Sequence, residues 1–168
     1  PGSPVYYVQH FTVEPNGDKF DVQVNMVQDH RGADYIGDGV RFEITFVDED
    51  WNMHSEMVSW DGESGTITKT LDFEPVAIFC DVNNKFADAS HEETFVIKQN
   101  GSKDFSAAKF KAIVEEVSAS TLLRMEHRWV GPTTVGEIPE GLTISSDRYW
   151  TIHRLDKGES KIKGEFQY

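Results

Sequence analysis

The stretch Phe20-Asp21-Val22-Gln23-Val24-Asn25-Met26-Val27-Gln28 decides the fold class. Phe20, Val22, Val24 and Met26 fall on alternate positions, with Asp21, Gln23 and Asn25 between them. Side chains of an extended strand point to opposite faces in turn, so this pattern puts an apolar row on one side and a polar row on the other. Val40-Arg41-Phe42-Glu43-Ile44-Thr45-Phe46 repeats it, as do Thr66 to Phe73 and Glu93 to Gln99.

Turn chemistry separates these runs. Asn16-Gly17-Asp18, Asp61-Gly62, Ser64-Gly65 and Asn100-Gly101-Ser102 supply the residues that tolerate the left-handed backbone of hairpins. Strand signals at such close spacing predict an all-β chain of sandwich type. The reading is an immunoglobulin-like antiparallel β-sandwich of seven strands over residues 4–90, followed by a smaller β-domain or β-extension over residues 91–168. Residues 1–3, Pro1-Gly2-Ser3, read as the remnant of a cleaved expression tag.

In the second part, Phe105 to Val117 has a helix-like composition, yet Phe110, Ala112 and Val114 alternate with polar or bulky neighbours, which predicts a strand. Thr121 to Val130 follows. Its alternation puts Leu123, Met125, His127 and Trp129 on one face, and Leu122, Arg124, Glu126 and Arg128 on the other. A loop from Gly131-Pro132 through Pro139 and Gly141 leads to strands over Arg148 to Leu155 and Lys161 to Phe166.

The 168 residues carry 16 Lys and Arg against 29 Asp and Glu, a formal charge of −13. Nucleic-acid binders show a basic stripe because phosphate contacts dominate their affinity. None is visible, so nucleic acid and anionic membrane surfaces are disfavoured as partners. No run approaches the ~20 apolar residues that span a bilayer. The single cysteine, Cys80, ends the apolar run Val76-Ala77-Ile78-Phe79 and reads as a buried, inert thiol.

Searches for chemistry end in turns and strands. His91-Glu92-Glu93-Thr94-Phe95 begins like a zinc-hydrolase helix, but Phe95 stands where the second histidine is required. His91 and Glu92 therefore read as solvated loop residues. His127 and His153 lie on predicted strands beside Trp129 and Trp150, and a metal held between them is the sharp alternative to ordinary surface or core histidines. Asp48-Glu49-Asp50 and Asp61 with Glu63 are candidate paired carboxylates for a hydrolase, which would need one proton-retaining acid. Asp81-Val82-Asn83-Asn84-Lys85 resembles part of a calcium loop but has Phe86 where glycine belongs, so it reads as a turn closed by side chains. Asn100-Gly101-Ser102 fits both a glycosylation sequon and a hairpin turn. Gly62-Glu63-Ser64-Gly65 is no nucleophile elbow. No catalytic or metal residue is assigned. The candidate binding residues are Trp51, Trp60, Trp129 and Trp150, whose rings offer flat apolar faces with a polar handle for carbohydrate or extended peptide. Trp51, in a charged loop, is the one expected to be exposed, whereas Trp129 and Trp150 share strands with core residues.

Three stretches carry a family resemblance: Phe73-Glu74-Pro75-Val76-Ala77-Ile78-Phe79-Cys80-Asp81 with Phe86-Ala87-Asp88-Ala89; Leu122-Leu123-Arg124-Met125-Glu126-His127-Arg128-Trp129-Val130-Gly131-Pro132; and Ser145-Ser146-Asp147-Arg148-Tyr149-Trp150. From about Pro4 to Tyr168 the chain resembles the region after the catalytic domain of secreted, Bacteroidetes-type aminopeptidase-N-like gluzincin metallopeptidases. The resemblance implies an extracytoplasmic, non-catalytic accessory module whose partner is the neighbouring domain of the same parent chain. The family's zinc helix has no counterpart here, so no catalytic residue and no cofactor carries over; zinc and peptidase activity would belong to the parent chain. A carbohydrate- or peptide-binding module and a carboxylate-dependent hydrolase are the alternatives.

Overall fold

The computed structural model describes residues 3–31, 38–86, 88–132 and 136–167. These residues form strands and no helix, and the chain divides into two compact units, Pro1–Asp88 and Ala89–Tyr168. Unit 1 is built from β1 (Ser3–Asn16), β2 (Lys19–Arg31), β3 (Val40–Val47), β4 (Met53–Trp60), β5 (Ser64–Leu71) and β6 (Ala77–Cys80). Two antiparallel sheets, ordered β1-β2-β5 and β4-β3-β6, enclose one core. Val22, Val24 and Met26 from β2 meet Phe42, Ile44 and Phe46 from β3, all essentially buried. The opposite face of β2 carries Gln23 and Asn25 beside the threonines of β5, with Thr66 donating to Asn25 at 2.8 Å.

Unit 2 is built from β7 (Ser90–Ile97), β8 (Gly101–Phe105), β9 (Phe110–Val117), β10 (Thr121–Arg128), β11 (Tyr149–Asp156) and β12 (Ser160–Phe166). Its sheets are ordered β11-β10-β7 and β12-β9-β8, again antiparallel throughout. Ile97, Phe105, Phe110, Ala112, Val114, Leu123 and Met125 fill the space between them. The chain is thus all-β and of sandwich type.

Three expectations need correction. Unit 1 holds six strands among its described residues where seven are expected. Phe105 to Val117 is not one strand: it is interrupted by a turn over Ser106–Lys109, in which Lys109 adopts φ 54° and its N–H reaches the Ser106 carbonyl. Ser64-Gly65 is not a turn. The turn sits at Gly62, with φ 75°, and Gly65 lies within β5. Glycine is needed at 65 because a Cβ there would lie 2.5 Å from Trp60 Cβ.

Gly131, just after β10, is a second tight place. A Cβ on it would lie 2.6 Å from the Ser146 carbonyl oxygen, and backbone cannot move aside as a flexible side chain does. Gly131→Ala is expected to cost about 1–3 kcal/mol in thermal or urea unfolding. Gly136→Ala, with nothing near its Cβ, should stay within about 0.5 kcal/mol of the parent.

Candidate functional site

The stretch Leu122 to Pro132 organises unit 2. β10 is the central strand of its sheet and is buried along its whole length on both faces. One face is a charge ladder. Arg124, Glu126 and Arg128 occupy every second position, so period-two geometry lines them up side by side. Glu126 Oε1 accepts from Arg124 Nε at 2.8 Å, and its Oε2 accepts from Arg128 Nη2 at 2.7 Å. His153 Nε2 lies 3.6 Å from the same carboxylate. Burial alone would raise the Glu126 pKa; the adjacent His153 imidazole and the two guanidinium charges outweigh it and hold the carboxyl far below its usual range. On β7, Ser90 donates to Glu92. Glu92 is thus a buried strand residue, and His91 an exposed strand residue, where a solvated loop is expected.

The other face of β10 runs from Leu123 and Met125 in the core to an aromatic cluster at its end. His127 is fully buried. Trp150 of β11 stacks on it, with centroids 4.4 Å apart and planes 5° apart, and Trp129 leans on it at 4.0 Å. Trp129 Nε1 donates to His91 Nδ1 at 3.2 Å, the Arg148 guanidinium lies 5.7 Å from the Trp129 ring, and Trp150 Nε1 donates to the Ala108 carbonyl at 2.8 Å. Phe166 packs on Trp150 and Phe110.

Register keeps His127 and His153 apart. His127 pairs with Trp150 and His91, whereas His153 pairs with Arg124, so the two imidazoles point to opposite faces. A metal shared between them has no geometric basis.

The four tryptophans are not equivalent. Trp129 is 42% exposed, its ring oriented by His91 and His127. Trp150 is half-buried in the cluster. Trp60 is buried in the unit 1 core, and its Nε1 has no hydrogen-bond partner among the described residues. Trp51 is half-buried in a turn over Asp48–Asn52, with φ 68° and its N–H on the Asp48 carbonyl at 3.1 Å. The more exposed indole is therefore Trp129, one residue beyond the last paired position of β10, where strand alternation no longer dictates direction.

The acidic clusters serve turns. Asp48 accepts the Asp50 and Asn52 N–H groups at 2.8 and 2.9 Å and the Asn52 amide at 2.9 Å. Burial pushes its carboxyl up, but these hydrogen bonds prevail and hold it below the ordinary value, the reverse of what a general acid requires. Asp61 accepts the Gly39 N–H at 2.6 Å. Asp81 is buried, and its two oxygens accept the Lys85 and Phe86 N–H groups at 2.7 and 2.9 Å. This is the side-chain-closed turn expected there. A groove of about 350 Å³ opens at the β7–β8 hairpin, between Phe95, Ile97 and Val114 with Lys103 at its side.

An antiparallel double-sandwich chain is the class these elements define. Comparison with protein-family models, with curated proteins and with solved structures returns no match to this chain.

Proposed function

We propose that this chain is a non-catalytic accessory module of an exported, aminopeptidase-N-like metallopeptidase, supporting or docking the catalytic domain of its parent chain. The observation that carries this reading is the use made of Leu122 to Pro132, the most specific stretch of the resemblance. Alternate residues fill the core, the intervening charges neutralise one another, and Gly131 seats the chain against Ser146. The stretch works as scaffold. The acidic groups follow suit, since Glu43, Asp48 and Glu126 are all held ionised by internal hydrogen bonds or ion pairs. Zinc and the peptidase reaction would reside in the parent chain. The test is the parent coding sequence. It is expected to place an H-E-x-x-H helix with a distal glutamate upstream of Pro4, and the segment 4–168 alone should release no amine from an aminoacyl anilide. An upstream sequence without that helix sinks the reading.

Trp129 favours a second reading, in which the module recognises carbohydrate. Its indole is exposed and held in place, with His91 and the Arg148 guanidinium beside it. Calorimetry with neutral oligosaccharides should then show binding that Trp129→Ala abolishes. Silence at millimolar ligand removes this reading.

A further inference from the structure

We propose that His127 is an acid-sensitive clasp that holds the aromatic end of unit 2 together while neutral and releases Trp129 on taking up a proton. Its position carries the argument. The imidazole lies between Trp129, which begins the connection from β10 to β11, and Trp150, near the start of β11. Its ring is inaccessible to solvent, and neither nitrogen has a hydrogen-bond partner among the described residues.

A neutral ring in this slot leaves one donor and one acceptor unpaired. A protonated ring would leave two donors and a full charge, and burying an unpaired charge costs far more than burying an unpaired dipole. The surroundings add to the penalty. β7 presents His91 and Glu93, the turn before β9 presents Lys109, and Arg148 stands just ahead of β11, while β12 contributes Phe166. Glu93 gives little relief, because its Oε2 already accepts the Ala107 N–H at 2.8 Å and the Ala108 N–H at 3.4 Å. The two indole faces do attract a cation. Burial, and then the charges of Arg148, His91 and Lys109, prevail and push the imidazole below its ordinary 6.5.

The sign follows from linkage. Below pH 6.5 the unfolded or opened chain binds more protons at this residue than the closed form does. Closure is therefore fully supported above that value and weakens as the pH falls toward the lowered one. Once the stack parts, the bond from Trp129 Nε1 to His91 Nδ1 remains as a tie.

The experiment is a titration of the 168-residue chain from about pH 8 to about pH 5, the range in which histidine changes charge. Tryptophan emission, far-ultraviolet circular dichroism and the histidine Cε1–H resonances are followed together. The His127 resonance should titrate below 6.5, with a step in tryptophan emission at the same midpoint and an unchanged sheet signal. His127→Phe, which keeps a flat ring in the slot, should remove the step; His10→Gln, on β1 of unit 1, should keep it. The proposal is overturned if His127 titrates at or above its ordinary value, or if the emission step survives in His127→Phe. Should that variant fail to fold, coincidence of the two midpoints in the unaltered chain decides alone.

Discussion

Glu126→Ala should lower the stability of unit 2 by about 3–5 kcal/mol, because it strips the shared carboxylate from two buried guanidinium groups. Arg124 and Arg128 are 0% and 5% exposed, so water cannot take over the lost role. Arg124 Nη1 keeps its long 3.3 Å contact with Thr94 Oγ1, which carries no charge, and Arg128 Nη1 has no hydrogen-bond partner among the described residues. Glu92 acts on Arg128 as well, but one carboxylate then faces two cations. For a domain of this size each kcal/mol moves the melting temperature by about 4–8 °C. A drop on the order of 15 °C or more is therefore expected in a melt followed by Trp129 and Trp150. The ladder itself need not be strongly stabilising. Replacing Arg124, Glu126 and Arg128 together by apolar residues of similar size, with Glu92→Gln so that the buried carboxylate beside Arg128 is not left without that cation, should be neutral, or stabilising by about 1–4 kcal/mol, since desolvation of these charges is then avoided. A single variant that melts like the parent would show that the ladder is not buried in solution. The same carboxylate sets a pH window distinct from that of His127. Its pKa is held below the ordinary 4.5, so its contribution is complete above that value and is lost only as the pH falls further.

How far the sequence foretold this arrangement depends on which face of a strand is considered. Val22, Val24 and Met26, or Leu123 and Met125, declare their faces because apolar and polar residues simply alternate. The outer face of β10 does not. Arginine and glutamate at alternate positions look like a wet face, and their burial is a tertiary fact. The available signal was R-x-E-x-R in a strand, which sets opposite charges side by side on one face and lets them be buried as a unit. Alternation with Leu123, Met125 and His127 points Trp129 to the core, but pairing ends at Arg128 and the rule ends with it. Gly65 looks like a turn residue in the sequence because composition cannot distinguish a glycine needed for its backbone from one needed for the space beside Trp60. The orphaned state of His127 has no sequence signature at all, since it depends on what fails to lie beside the ring.

Phe42→Ala should remove about 3–5 kcal/mol from unit 1. Phe42 is the hub of that unit's aromatic packing: its ring lies 4.3 Å from Phe86, 4.4 Å from Tyr6 and 6.4 Å edge-on from Trp60. It is 1% exposed, so truncation opens a cavity flanked by β1, β4 and the turn after β6, and rigid sheets cannot collapse to fill it. Phe42→Leu fills much of that space and should cost clearly less. Tyr6 offers a local check. Burial, and then the Asp88 carboxylate, push its phenol up from 10.0, and opening the cavity should let it fall back toward that value in a spectrophotometric titration. Each unit encloses its own core, so the damage should stay local. Amide exchange is expected to quicken in β2, β3 and β5 of the variant while β9 and β10 keep their protection. Uniform loss of protection across both units would mean that they unfold as one.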